Sequence, residues 1–148
     1  MEFKLDAPLG YVINKTALAL KNELGRRFKP YDITVEQWRV LNRLWEKDGL
    51  TQKELAEQIF KDQPNTTRIL DKLQNKGIIR REASPDDRRA FIINLTGEGR
   101  MLRAQLLPVA RRMGEDVFTG ISEEEQLLLK VLLNKICANI DTISADEK

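Results

Sequence analysis

The sequence predicts a mainly α-helical chain in which a helix–turn–helix is followed by a β-wing, with further helices on both flanks. Residues 50–96 carry the central unit: a short helix, a turn, a longer helix, then two short strands joined by a charged tip. Helix-start signals recur at Thr34 with Gln37, Thr51 with Glu54 and Ser122 with Glu125, each a cap residue with its partner three positions on. Long amphipathic stretches precede residue 30 and follow residue 96, and none approaches the roughly 18 apolar residues of a membrane span.

The first helix starts near Pro8, with Asp6 or Ala7 before it, since proline suits a first helical turn. Leu9, Val12, Ile13, Thr16, Ala17, Leu20, Leu24 and Phe28 form its stripe, and Lys29-Pro30 stops it. Thr34 opens the second helix, whose inner face carries Trp38, Leu41 and Trp45; Asp48-Gly49 ends it. Thr51 opens the third, with Leu55, Ala56 and Ile59 facing inward. Asp62 or Gln63 begins the fourth, with Pro64 in its first turn; it runs to Lys76 and stops at Gly77. Ile78 and Ile79 begin the first wing strand, and Phe91, Ile93 and Leu95 alternate along the second. Thr96 caps a long fifth helix reaching toward Thr119, where Gly120 breaks it. The last helix runs from Ser122 to about Ile143, and residues 144–148 fray.

That last helix is apolar around more than one side, from Leu127 through Ile143. A surface helix needs one stripe about 100° wide. The broader face, with the stripe of the first helix, points to a second subunit packed on both chain ends. The expected organisation is one domain over residues 1–148: a winged unit at 30–96 and dimerisation helices at 1–29 and 97–148.

Composition weighs against an enzyme. There is no histidine and a single cysteine, Cys137. A disulfide within the chain, a zinc site of histidine and cysteine, and nucleophile pairs that use histidine all lack their groups. There is no glycine-rich phosphate loop, so no cofactor, metal or catalytic residue is expected. The N-terminus lacks the basic start and apolar stretch of a secretory signal, and a cytoplasmic location with no membrane partner is expected. Net charge is only +2, but residues 68–103 hold nine basic side chains against five acidic ones, a local +4.

Double-stranded DNA is the partner that this distribution fits. The start of the fourth helix offers Gln63, Pro64, Asn65, Thr66, Thr67 and Arg68, with Lys72 one turn on, as groups for base edges and phosphates. At the wing tip Arg88 and Arg89 suit a narrow, electronegative minor groove. Asp87 or its neighbour Asp86 would hold an arginine in one pose. The bland alternatives are a solvated helix start and a loop of mixed charge. The alternative function is a winged-helix protein–protein interaction module that never reads DNA.

Thr67-Arg68-Ile69-Leu70-Asp71-Lys72-Leu73 with Gly77-Ile78-Ile79-Arg80-Arg81, then Asp87-Arg88-Arg89-Ala90 with Leu95-Thr96 and Gly99, and the helices on both flanks resemble the MarR/SlyA family of bacterial transcription regulators. The resemblance implies a homodimer of winged-helix subunits, with the first and the last two helices as the dimer base. The fourth helix would read the major groove and the wing the minor groove. The family's Asp-x-Arg wing pattern maps on Asp87 and Arg89, and Asp86 with Arg88 has the same spacing. It also implies repression, and release from DNA by a small anionic or phenolic ligand in a crevice near the first, second and fifth helices. Relatives that sense oxidants use an early cysteine, which this chain lacks.

Overall fold

Local sequence decides where the helices begin and end. In this computed structural model, which describes residues 8–147, α1 (Leu9–Phe28) follows Pro8 in extended conformation, and Asp6 and Ala7 lie outside the described residues. A 3-10 turn at Lys29–Tyr31 and the left-handed Asp32 (φ 55°) end it. Helix α2 (Val35–Glu46) opens with a reciprocal box: the Thr34 hydroxyl accepts the Gln37 amide and the Gln37 side chain accepts the Thr34 amide. Such a box satisfies two amide donors that lack helical partners. Strand β1 (Leu50–Thr51) runs into α3 (Gln52–Gln58), which Thr51 and Glu54 start in the same way. Asp62 accepts the Asn65 amide at 2.8 Å and caps α4 (Gln63–Asn75). Gly77, at φ 75°, turns the chain out of that helix.

Strands β2 (Ile79–Ala83) and β3 (Phe91–Leu95) form the wing, with Arg81 opposite Ile93 and Ala83 opposite Phe91. The sheet is antiparallel in the order β1-β3-β2. The sequence gives no sign of β1, because two residues cannot establish an alternation. The wing strand starts at Ile79 rather than Ile78, whose amide donates to Leu73 and belongs to the helix stop. Helix α5 (Gly97–Val117) begins where the Thr96 hydroxyl accepts the Gly99 amide at 3.2 Å. Helix α6 (Glu123–Asp146) extends three residues beyond Ile143, through part of the tail expected to fray, and Lys148 lies outside the described residues.

The described residues fall into two compact units divided after Arg112. The core of the first joins Phe28, Leu41, Leu44, Leu55, Leu70, Leu73, Ile79, Ile93 and Leu106, all fully buried or nearly so. Both tryptophans are structural, as their helical spacing predicts: Trp38 packs on Phe28 and, edge to face, on Trp45 (centroids 5.6 Å apart), and the Trp45 indole donates to the Gly99 carbonyl at 3.0 Å. A side chain at Gly99 would put its Cβ 2.2 Å from the Ile78 carbonyl oxygen, so glycine is what lets α5 start this close to the wing. In α1 the predicted stripe divides: Leu24 and Phe28 pack on the core, whereas Leu9 and Val12 are exposed. The second unit has no buried residue in α6; its leucines and isoleucines and Cys137 are exposed in the single chain.

Candidate nucleic-acid interface

Helix α4 is held by one face and displays another. Ile69, Leu70 and Leu73 bury the inner face, and Thr66 lies on it, fully buried, its hydroxyl donating to the Asp62 carbonyl at 2.8 Å. Thr66 therefore cannot reach a base edge, which corrects its placement among the reading residues. Its position one turn before Ile69 and Leu70, in the period of the core, is the signal that its polar identity masked.

The remaining predicted residues of the helix start are at least partly accessible, and two hydrogen-bonded groups order them. On one side Asn65 donates to Asp62 (3.0 Å) and accepts from the Arg68 guanidinium (2.6 Å). On the other, Gln52 at the start of α3 lies 2.6 Å from the Thr67 hydroxyl and 3.3 Å from the Gln63 side-chain oxygen. Sequence reasoning missed Gln52; its partners are 11 and 15 residues away, beyond any local pattern. Pro64 sits exposed in the first turn.

These groups open into separate clefts. Gln63, Thr67 and Gln52 share one of about 610 Å³ with Arg81 and the wing residue Arg89, so the structure brings helix start and wing to a common space. Asn65, Arg68 and Lys72 line another of about 270 Å³ together with Lys61, a cation that sequence reasoning did not select.

The wing tip is a chain of local hydrogen bonds. Asp87 Oδ1 accepts the backbone amide of Arg89 at 2.9 Å, and the Asp87 carbonyl accepts the Ala90 amide at 3.1 Å. Ser84 closes the turn, its hydroxyl accepting the Asp86 amide and its own amide donating to Ala90. Asp87 thus shapes the backbone that carries Arg89, where a hold on a guanidinium was expected. Among the described residues no carboxylate pairs with Arg88 or Arg89.

Pairing also sorts the basic excess. Arg80 meets Glu82 at 2.7 Å, Arg100 meets Asp48 at 3.5 Å, Lys76 meets Asp32 at 3.4 Å, and Arg81 bonds Asp71 and Gln74. Of the nine cations, Arg68, Lys72, Arg88, Arg89 and Arg103 have no carboxylate partner among the described residues. Four of these five lie on α4 and the wing tip. Also among the described residues, no helix is long and apolar enough to cross a membrane, and no cluster of acidic or cysteine side chains is placed to hold a metal.

A sequence model of the MarR family matches residues 33–91. The solved transcriptional regulator PA3341 is 36% identical over 91% of this chain and 99% of its own, with a TM-score of 0.80. The chain belongs to the MarR family. Membership makes it a DNA-binding transcription regulator and not an enzyme. Two other similar solved chains, unlike PA3341, are described as bound to DNA. The S. aureus MepR–DNA complex is 27% identical, covers 93% of this chain and 99% of its own, and has a TM-score of 0.83. The transcriptional repressor CouR, bound to a 23-mer duplex, is 28% identical with the same coverages and TM-score.

Proposed function

We propose that this MarR-family chain acts as a homodimeric repressor on an inverted-repeat operator. The observation that carries the reading is the shared cleft: Gln63 and Thr67 of α4 and Arg89 of the wing face one space. In each protomer α4 enters the major groove, with Gln63, Pro64, Asn65, Thr67 and Arg68 toward bases and Lys72 toward phosphate. Arg88 and Arg89 reach the adjacent minor groove, with Asp87 fixing the tip. Residues 30–96 form the DNA-reading part, and 1–29 and 97–148 supply the dimer base. The exposed leucines and isoleucines of α6 and, separately, the exposed Leu9 and Val12 of α1 support that assignment, since extended exposed apolar faces mark interfaces. DNA complexes of MepR and CouR support the duplex as partner. A cytoplasmic location follows from this role.

Release by a small anionic or phenolic ligand belongs to the same reading. A cleft of about 500 Å³ lies between the turn after α1, the end of α4 and the start of α5. Tyr31, Met101 and Leu102 offer it apolar walls, and Lys76 offers a cation beside the carboxylates of Asp32 and Glu98, which favours a phenolic ligand over a multiply charged anion. Lys76 ties the end of α4 to Asp32 and Gln37. A ligand anion would compete for that ammonium, and it releases DNA only insofar as it favours an α4 placement unsuited to the operator.

Selection from randomised duplexes with the purified protein, together with sedimentation of the complex, tests the proposal. The expected result is an enriched palindrome whose half-sites lie about 10 bp apart, bound by two protomers. A protein that enriches no sequence is an interaction module instead, and the proposal fails.

A further inference from the structure

The bonds around Gln52 have a direction that can be worked out from one fixed point. The Thr67 hydroxyl lies 2.9 Å from the main-chain carbonyl of Gln63. A carbonyl oxygen only accepts, so Thr67 directs its single hydrogen there. A hydroxyl committed in this way accepts from Gln52, which therefore turns its NH₂ group, not its oxygen, toward Thr67 (2.6 Å). The second hydrogen of that NH₂ then points to the Gln63 side-chain oxygen (3.3 Å), which accepts it. One backbone acceptor sets the orientation of two side-chain amides and a hydroxyl.

What remains for a ligand is one-sided. Thr67 keeps a lone pair and its methyl group. Gln63 keeps both amide hydrogens, while its oxygen is drawn to Gln52, which takes one of its two lone pairs. The usual bidentate pairing of glutamine with adenine needs the amide oxygen and nitrogen together, so it is disfavoured here.

We propose that Gln52 is a specificity-determining positioning residue: by donating to the Gln63 side-chain oxygen it turns the Gln63 donors outward, beside the acceptor that the Gln63 carbonyl leaves on Thr67. Helix α4 then reads a keto base at Gln63, through guanine O6 or thymine O4, and an amino base at Thr67, through adenine N6 or cytosine N4. This rests on the proposed role of α4 in the major groove.

The test repeats the selection from randomised duplexes with the full-length wild type, Gln52→Glu and Gln52→Met at one salt concentration. A glutamate has the shape of glutamine and only accepts, so the Thr67 hydroxyl turns its hydrogen from the Gln63 carbonyl to it, keeping its lone pairs, and the Gln63 amide flips to donate to it and turns its oxygen outward. The wild type is expected to enrich guanine or thymine at one position of each half-site and adenine or cytosine at another. Gln52→Glu is expected to shift the first position by about 10-fold toward adenine or cytosine and leave the second, while Gln52→Met flattens the first and leaves the second, where the Gln63 carbonyl still holds the Thr67 hydrogen. Affinity for random DNA registers the added charge separately, and melting temperature registers folding. A wild type that enriches a palindrome, with both variants selecting the same bases, overturns the role of Gln52. A wild type that enriches nothing refutes the DNA-reading role on which the proposal rests. If Gln52→Glu does not fold, Gln52→Met decides alone, and unchanged base preferences overturn the proposal.

Discussion

Thr66 and Thr67 are neighbours in sequence and opposites in structure, and replacing each by valine separates folding from reading. Valine at 66 keeps the buried shape and deletes the hydroxyl that donates to Asp62 at 2.8 Å. The Asp62 carbonyl still receives the Thr66 backbone amide at 3.0 Å, so no acceptor is left bare. The lost bond costs about 0.5–1.5 kcal/mol. The added buried methyl returns about 0.8 kcal/mol. Thr66→Val should therefore change stability by no more than about 1 kcal/mol, or roughly 2–4 °C in melting temperature for a chain of this size. Operator affinity should stay unchanged. Thr67→Val removes a half-exposed acceptor instead. It should cost about 1–3 kcal/mol on the operator and little on random DNA. The assay is fluorescence anisotropy against both duplexes at one salt concentration, because phosphate contacts make affinity steeply salt-dependent. Thermal unfolding at one protein concentration accompanies it, because a dimer's melting temperature depends on concentration. An operator-specific loss at Thr66→Val with an unchanged melting temperature would refute the assignment of Thr66 to the core. An unchanged ratio of operator to random binding at Thr67→Val would remove it from the reading face.

Arg89→Ala should weaken operator binding by about 1–3 kcal/mol and leave the dimer intact, as read by the same titration and by sedimentation. Gly99→Ala forces a Cβ to within 2.2 Å of the Ile78 carbonyl, and such overpacking should cost about 1–3 kcal/mol of stability in thermal unfolding. Hydrogen bonds from Arg26 and then Arg27 hold the Glu23 carboxyl at about 2, below its ordinary 4.5. A carboxylate depressed in the folded state stabilises above the unfolded value and loses that contribution as pH falls through the folded one. Melting of the wild type should thus drop between pH 4.5 and 2 more steeply than that of Glu23→Gln, and equal slopes would show that the arginine contacts do not persist in solution.

The fold was legible wherever a short pattern suffices. A capping box needs two residues at fixed spacing, so Thr34, Thr51 and Ser122 announce three helices correctly. The stop at Gly77 and the alternation of β3 are equally local. The site was legible only in outline, because contact decides what each polar residue does. Thr66 looks like a reading residue by its type and is core by its period. Arg80 and Arg81 look like DNA cations by charge, yet Glu82 and Asp71 hold them. Asp87 was expected to grip a guanidinium and instead accepts a backbone amide, which fixes where the Arg89 side chain departs without occupying its charge. That difference matters for a polyanion partner. An arginine already paired must lose its carboxylate before it meets a phosphate, whereas one whose backbone alone is fixed meets it with its charge available. The wing therefore gains order from Asp87 while the charges of Arg88 and Arg89 stay available to a polyanion.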